Sequence, residues 1–234
     1  MTKTEQDLRE DLVRICHSIY EKGWAAANDG NVSIRLEQDR ILCTPTAVCK
    51  GHVTADDLIL CDMRGQKTHG VREPTSEILM HMNIYARRQD VRAVVHAHPP
   101  VATGFAAAGR ALDQALLPEV VVQLGAVPLA RYGLPGTSAL SDGMLPYVDC
   151  FDAMLLENHG CTAYGEDVWQ AFFRMETVEH FARITLVAEL LGGGRLLPRG
   201  EVEKLFQARA RYGVRSRAQM QPGLPVVAED LDNS

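Results

Sequence analysis

The sequence predicts a single α/β domain, and three observations carry that reading. Short β-branched runs of strand length alternate with longer segments whose apolar residues recur at helical spacing. At 234 residues the chain is long enough for one core that needs no covalent staple. No internal repeat, low-complexity linker or second hydrophobic region divides it. We therefore place one domain over residues 1–216 and expect a flexible C-terminal tail over 217–234.

Glu5 to Lys22 reads as an amphipathic helix, with Leu8, Leu12, Ile15 and Ile19 at helical spacing and Gly23 as its stop. Asn28-Asp29-Gly30-Asn31-Val32-Ser33 is a turn rich in residues that tolerate positive φ, and it feeds an alternating strand from Val32 to Leu36. Consecutive N–H groups at such a turn form an anion-binding concavity; a plain hairpin-entry turn is the commoner use of this composition. Strands Arg40–Cys43 and Leu58–Cys61 complete a small meander, with two hydroxyls at Thr44-Pro45-Thr46 and a turn at Arg64-Gly65. Thr75 or Ser76 caps a helix from Glu77 to Arg88, which puts Glu77 in its first turn. Ala93 to His98 is a buried strand ended by Pro99-Pro100. Ala102–Gly109 is small and helix-compatible, and Glu119–Pro128 reads as a second β-branched strand interrupted by Gly125. Ser138–Val148 is a short helix entered through Thr137 or Ser138. An apolar strand, Ala153–Glu157, then stops at a turn. Glu166–Leu191 is a long helix ended by three glycines, and Glu201–Tyr212 is the last helix before a frayed acidic tail from Gln219.

Composition narrows the function. The net charge of −6 and pI near 5.7 argue against nucleic acid and anionic membrane as partners. The six cysteines form no CxxC pair, and the polar start and lack of a membrane-length apolar run lead us to expect a reduced, cytoplasmic enzyme.

The chemistry centres on Pro74 to Pro99. Side chains two apart on a strand share a face, so His96 and His98 project together, about 7 Å apart along the backbone. Glu77 precedes them, and Glu157-Asn158-His159-Gly160 offers a third imidazole at the end of a strand. Three His and one carboxylate make a catalytic zinc set with room left for substrate. An HxH pair alone is more often incidental than metal-binding. His81, one turn after Glu77, makes Glu77/His81 a rival ligand pair. His17, His52, His69 and His180 read as surface or packing residues.

With these pieces placed, the sequence resembles the class II aldolase/adducin family, and within it the zinc-dependent fuculose-1-phosphate aldolases, over roughly Leu8 to Val214. Five blocks in family order carry the resemblance: Gly30-Asn31-Val32-Ser33, Thr44-Pro45-Thr46, Pro74-Thr75-Ser76-Glu77, His96-Ala97-His98 and Glu157-Asn158-His159-Gly160. The resemblance implies a three-layer α/β/α sandwich around a mixed, mainly antiparallel sheet, and a homotetramer with sites between subunits. It implies His96, His98 and His159 as zinc ligands, with Glu77 as a catalytic carboxylate that also binds zinc at rest; Mn²⁺ or Co²⁺ are alternative metals. Gly30, Asn31, Thr46, Thr75 and Ser76 match phosphate-binding residues, and Tyr212 matches a tyrosine that closes over the site. The implied reaction cleaves a ketose 1-phosphate to dihydroxyacetone phosphate and an aldehyde. Only five lysines are present, none in a strongly apolar segment, which disfavours a Schiff-base aldolase.

Two departures stand out. Ala115-Leu116-Leu117-Pro118-Glu119 lacks the tyrosine that the aldolases place near the aldehyde, leaving Glu119 as the nearest acid and a candidate catalytic residue. Glu119 resembles a glutamate of the methylthioribulose-phosphate dehydratases; a solvent-facing strand-entry residue is its plainer role. Ala47 stands where glycine is usual. The apolar Leu116 and Leu117 suggest a 5-deoxy- or 5-methylthio-ribulose 1-phosphate. Rival readings on the same fold are a ribulose-5-phosphate 4-epimerase, a decarboxylase of phosphorylated keto acids, a methylthioribulose-phosphate dehydratase and a non-catalytic adducin-type module.

Overall fold

A computed structural model describes residues 3–37, 40–216, 220–221 and 223–231. Helix α1 (Glu5–Glu21) starts from a reciprocal cap: the Thr4 hydroxyl accepts the Asp7 N–H and the Asp7 carboxylate accepts the Thr4 N–H. Four strands follow, β1 (Asn31–Arg35), β2 (Ile41–Cys43), β3 (Ile59–Cys61) and β4 (Lys67–His69). Helix α2 (Ile78–Arg87) leads to β5 (Ala93–Ala97), α3 (Pro100–Ala107) and α4 (Pro118–Gln123). Next come β6 (Leu129–Ala130), α5 (Ser138–Val148), and the hairpin of β7 (Ala153–Leu156) and β8 (Gly160–Gly165). The chain ends with α6 (Val168–Leu190), α7 (Arg199–Ala208), a 3₁₀ turn at Arg209–Tyr212, and α8 (Ala228–Leu231).

The strands form one sheet in the order β4-β3-β2-β1-β5-β8-β7-β6, antiparallel throughout except for the β6–β7 pair. Both faces are covered, because the central strands are apolar on both parities. Ala93, Val95 and Ala97 of β5 join a core with Leu12, Ile15 and Ile19 of α1 and Phe172, Met175, Val178 and Phe181 of α6. Val94 instead joins Ile78, Met82 and Tyr85 of α2 and Leu140 and Met144 of α5. Each such fully buried aliphatic side chain contributes roughly 1.5–3 kcal/mol of burial. The architecture is thus the expected α/β/α sandwich with a mainly antiparallel sheet.

Several elements depart from the sequence expectations. Residues 118–123 are helical rather than extended. Pro118 presets the φ of a first helical turn, Gly125 at φ +76° stops it, and Val120 and Val121 are buried in two different clusters. Tertiary burial on two sides outweighs the β-preference of three valines. Strands β4 and β8 were not foreseen: Lys67-Thr68-His69 is exposed along its length, and β8 is bounded by glycines. The helix expected over Glu201–Tyr212 instead starts at Arg199 and ends at Ala208, before the 3₁₀ turn that carries Tyr212. The end of the chain is docked rather than frayed over 223–231. Val226 bridges Gln114, and Val227 is fully buried with Ala115, Val121 and Val202. Residues 217–219, 222 and 232–234 of the expected tail lie outside the described residues. All six cysteines are free thiols, and no described helix is long and apolar enough to cross a membrane.

Candidate active site

The site lies where β5 ends beside the β7–β8 turn. His96 shares the parity of Val94 and so faces the α2 layer, fully buried. Its Nδ1 donates to the Cys161 carbonyl at 2.9 Å, which leaves Nε2 as a bare acceptor. His98 follows the strand, anchored by its own N–H on the Trp24 carbonyl at 2.8 Å. His98 Nε2 lies 3.2 Å from His96 Nε2, and its Nδ1 lies 3.5 Å from the Asp29 carboxylate. His159 is delivered by a tight hairpin in which Asn158 takes the left-handed conformation at φ +54°. One nitrogen from each of the three rings falls within 4.8 Å of the others. Two glycines permit this convergence. A Cβ on Gly160 would sit 2.5 Å from the His98 ring, and one on Gly30 would sit 2.9 Å from the His96 carbonyl.

Burial, reinforced by the neighbouring imidazoles, holds His96 well below the usual histidine range. Burial also lowers His159, opposed in part by Glu77. Neutral imidazole is the form that ligates a metal.

Glu77 completes the cluster. Its Oε2 lies 3.3 Å from His96 Nε2 and its Oε1 lies 3.2 Å from His159 Nε2. The residue stands at the cap position of α2, φ −100° and ψ 17°, one residue before the helix rather than in its first turn. The Thr75 hydroxyl accepts the Glu77 N–H at 3.4 Å, so the hydroxyl turn sets where the carboxylate points.

A buried polar chain, which the sequence did not reveal, fixes that carboxylate from behind. Asn31 Nδ2 donates to Glu77 Oε2 at 2.8 Å, so Asn31 Oδ1 is free to accept from His81 Nε2 at 2.5 Å. His81 Nδ1 then accepts from the Ser33 hydroxyl at 2.7 Å, and Ser33 Oγ accepts from the Tyr85 hydroxyl at 2.7 Å. Both His81 nitrogens are thereby occupied, which removes the rival Glu77/His81 ligand pair. Burial pushes the His81 pKa down to about 3, so it stays neutral. His17, His52, His69 and His180 take no part in the metal-type cluster among the described residues.

In front of Glu77 lies a cavity of about 220 Å³. Gly30, Asn31, Thr46, Thr75 and Ser76 all line it, together with Glu77, His98 and His159. Its loops are tied to each other by backbone bonds: Thr75 N–H to the Thr44 carbonyl at 3.1 Å and Thr46 N–H to the Glu73 carbonyl at 3.0 Å. Ala47 has φ +56°, which explains why glycine suits that position. Asp29, Lys50 and Pro135 also line the cavity and were not singled out from sequence. Three larger depressions lie elsewhere on the surface and contain none of the three clustered histidines.

Glu119 and Tyr212 are not in this cavity. Glu119 is exposed in the first turn of α4, beside Trp169, Phe173 and His180, and Tyr212 is 65% exposed. Within one chain neither reaches the histidine cluster.

The donor set fits a divalent cation. Three imidazoles and a carboxylate converge, and Glu77 Oε1 and His159 Nδ1 are buried without a hydrogen-bond partner. Such atoms are costly unless something else satisfies them.

The family model described as Class II Aldolase and Adducin N-terminal domain matches residues 10–186. The chain belongs to this family. A 3-oxo-tetronate 4-phosphate decarboxylase of Escherichia coli strain K12 is 32% identical over 210 residues, covering 87% of this chain and 97% of that protein. A 5-deoxy-D-ribulose 1-phosphate aldolase of Bacillus thuringiensis serovar kurstaki is 30% identical over 210 residues, covering 89% and 98%. Among solved structures, an L-fuculose 1-phosphate aldolase superposes with a TM-score of 0.82 at 29% identity, covering 87% of this chain and 96% of the other. Membership of the class II aldolase family makes this chain an enzyme, a metal-dependent lyase.

Proposed function

We propose that the chain cleaves a ketose 1-phosphate to dihydroxyacetone phosphate and an aldehyde, with zinc as the metal. The observation that carries this reading is a single one. Glu77, clamped by Asn31, shares one cavity with His98 and His159, whose rings converge with that of buried His96, and with the hydroxyl and N–H groups of three loops. His96, His98 and His159 would hold the ion, with Glu77 beside them. When bound, it would polarise the substrate carbonyl and neighbouring hydroxyl as a Lewis acid.

The chain's own groups do the rest. Gly30, Asn31, Thr46, Thr75 and Ser76 hold the phosphate and so fix the reacting carbons relative to Glu77. As the C4 hydroxyl loses its proton and the C3–C4 bond breaks, Glu77 returns a proton to C3 of the enediolate fragment. The C4 hydroxyl proton needs an acceptor at the aldehyde end. Glu119 takes that role in our reading, and Tyr212 covers the site. Both act from a neighbouring copy, because one chain holds them away from its own cavity. A homotetramer with sites between subunits satisfies this, and free thiols suit a reducing cytoplasm. Leu116 and Leu117, with the relative named for 5-deoxy-D-ribulose 1-phosphate, favour an aldehyde end lacking a terminal hydroxyl.

Decarboxylation of a phosphorylated keto acid is the second reading, favoured by the decarboxylase-named relative. Dihydroxyacetone phosphate, a panel of small aldehydes and the metal-loaded protein separate the two. We expect condensation to a ketose 1-phosphate that chelator abolishes. No condensation, with carbon dioxide released from a 3-oxo acid phosphate, would replace the aldolase reading by the second.

A further inference from the structure

Of the five lysines, only Lys50 is buried, at 1% exposure. Lysine is almost never fully buried unless paired, yet Lys50 makes no ion pair with a carboxylate among the described residues. Its Nζ donates instead to two backbone carbonyls, Asn28 at 3.0 Å and Val48 at 2.7 Å. That uses two of its three protons. The two carbonyls belong to the two loops that also supply Gly30 and Thr46 to the cavity. Both loops turn through a left-handed alanine, Ala27 at φ +49° and Ala47 at φ +56°. The ammonium therefore staples two strained loops at the cavity wall.

The charge inventory of that wall is one-sided. Its carboxylates are Asp29 and Glu77, its imidazoles His98 and His159, and Lys50 is its one lysine or arginine among the described residues. A phosphate dianion entering this space meets Asp29, and Glu77 wherever no ion offsets it, in a chain of net charge −6. Backbone N–H groups and hydroxyls orient a phosphate, but they carry no net charge to offset it.

We propose that Lys50 is the buried counter-charge for the substrate's phosphate group, holding the 28–31 and 46–50 loops together and discriminating a phosphorylated from an unphosphorylated ligand. The inference rests on the aldolase reading for the presence of a phosphate. It accounts for a buried cation that has only carbonyl partners: the missing anion arrives with the substrate. Burial lowers the Lys50 pKa, opposed by Cys16, Cys49 and Asp29, and a bound dianion adds to the raising side. The same two carbonyl contacts favour the ammonium form, which is the wrong form for a Schiff-base nucleophile.

The test compares metal-loaded wild type with Lys50→Met, titrated by calorimetry with dihydroxyacetone phosphate and with dihydroxyacetone. Losing a charge-assisted contact should weaken dihydroxyacetone phosphate binding by roughly ten- to a hundredfold. Dihydroxyacetone binding and metal content should be unchanged, and KM should rise far more than kcat falls. Dihydroxyacetone phosphate affinity within about twofold of wild type would overturn the inference while leaving the aldolase reading intact. A wild type with no preference for the phosphorylated ligand would sink both. If Lys50→Met fails to fold, ¹⁵N-lysine spectra of the wild type serve instead, since only five side chains need assignment. The Lys50 Nζ resonance should shift on adding inorganic phosphate; an unmoved resonance overturns the proposal. So does borohydride trapping of dihydroxyacetone phosphate on Lys50.

Discussion

Strand β7 has a buried polar cluster at each end, and the two differ in kind. Before its first residue, Asp152 is bound by Arg88 at 2.7 Å, Arg174 at 2.9 Å and the Ser216 hydroxyl at 2.6 Å. Arg88 also reaches Asp90 and the carbonyls of Val148 and Phe151, so its guanidinium is engaged on every side. After the last residue of β7 comes the turn to His159, where imidazoles face one another and buried atoms of Glu77 and His159 lack partners. The first cluster is closed and joins α2, α6 and residue 216 to the sheet. The second is open toward a cavity. A buried polar group that is fully satisfied holds a fold together, whereas convergent unsatisfied groups beside a cavity suit a ligand.

Mutations at the two ends should therefore separate activity from stability. The largest effect is expected for His96→Ala. Metal should be lost by more than the roughly 10–100-fold that follows loss of an outer partner of a ligand, and turnover should vanish with it while the folded state persists. Metal stoichiometry and turnover on one sample check this; a fully active variant would break the contrast. Glu77→Gln keeps an acceptor for Asn31 and all three histidines. It should retain metal yet lose about 10²–10⁴-fold in kcat. Near-normal turnover would reduce Glu77 to a helix cap.

At the closed end the expectation reverses. Asp152→Ala strands Arg88 and Arg174, both buried, and should cost about 3–5 kcal/mol in denaturant unfolding. Metal content and turnover per folded molecule should be unchanged. The smallest effect sharpens the contrast through pH. His81 is held neutral in the folded protein with a pKa of about 3, well below its value in an unfolded chain. Its contribution is thus fully present above about pH 6.5 and is lost as pH falls toward 3, because the unfolded state binds the extra proton. By pH 5 this amounts to on the order of 2 kcal/mol. His81→Gln should flatten that part of the acid-stability curve, and an unchanged curve would show that other groups dominate it.

Much of the open end was legible from local pattern. The alternation through Val94, His96 and His98 places both imidazoles on one face, and the turn after β7 offers His159. The hydroxyl-rich loops around Thr46 and Thr75 line the cavity. The helix at 118–123 is hidden from local pattern because three consecutive valines look like a strand until Pro118 and two separate apolar clusters are considered. The role of Lys50 was missed for a related reason. Its sequence neighbours are unremarkable, and its burial comes from a carbonyl 22 residues away.

The sequence by itself determined the α/β class, the family and the convergence of three histidines, because strand parity, turn chemistry and motif order are all written over short distances. Only the tertiary structure decided how Glu77 is aimed, why His81 is not a ligand and where the buried charges sit. Those outcomes depend on Asn31 meeting Glu77 across 46 residues and on Arg88 meeting Asp152 across 64. Such pairings arise from sheet order and layer packing, which bring together side chains that no local spacing connects.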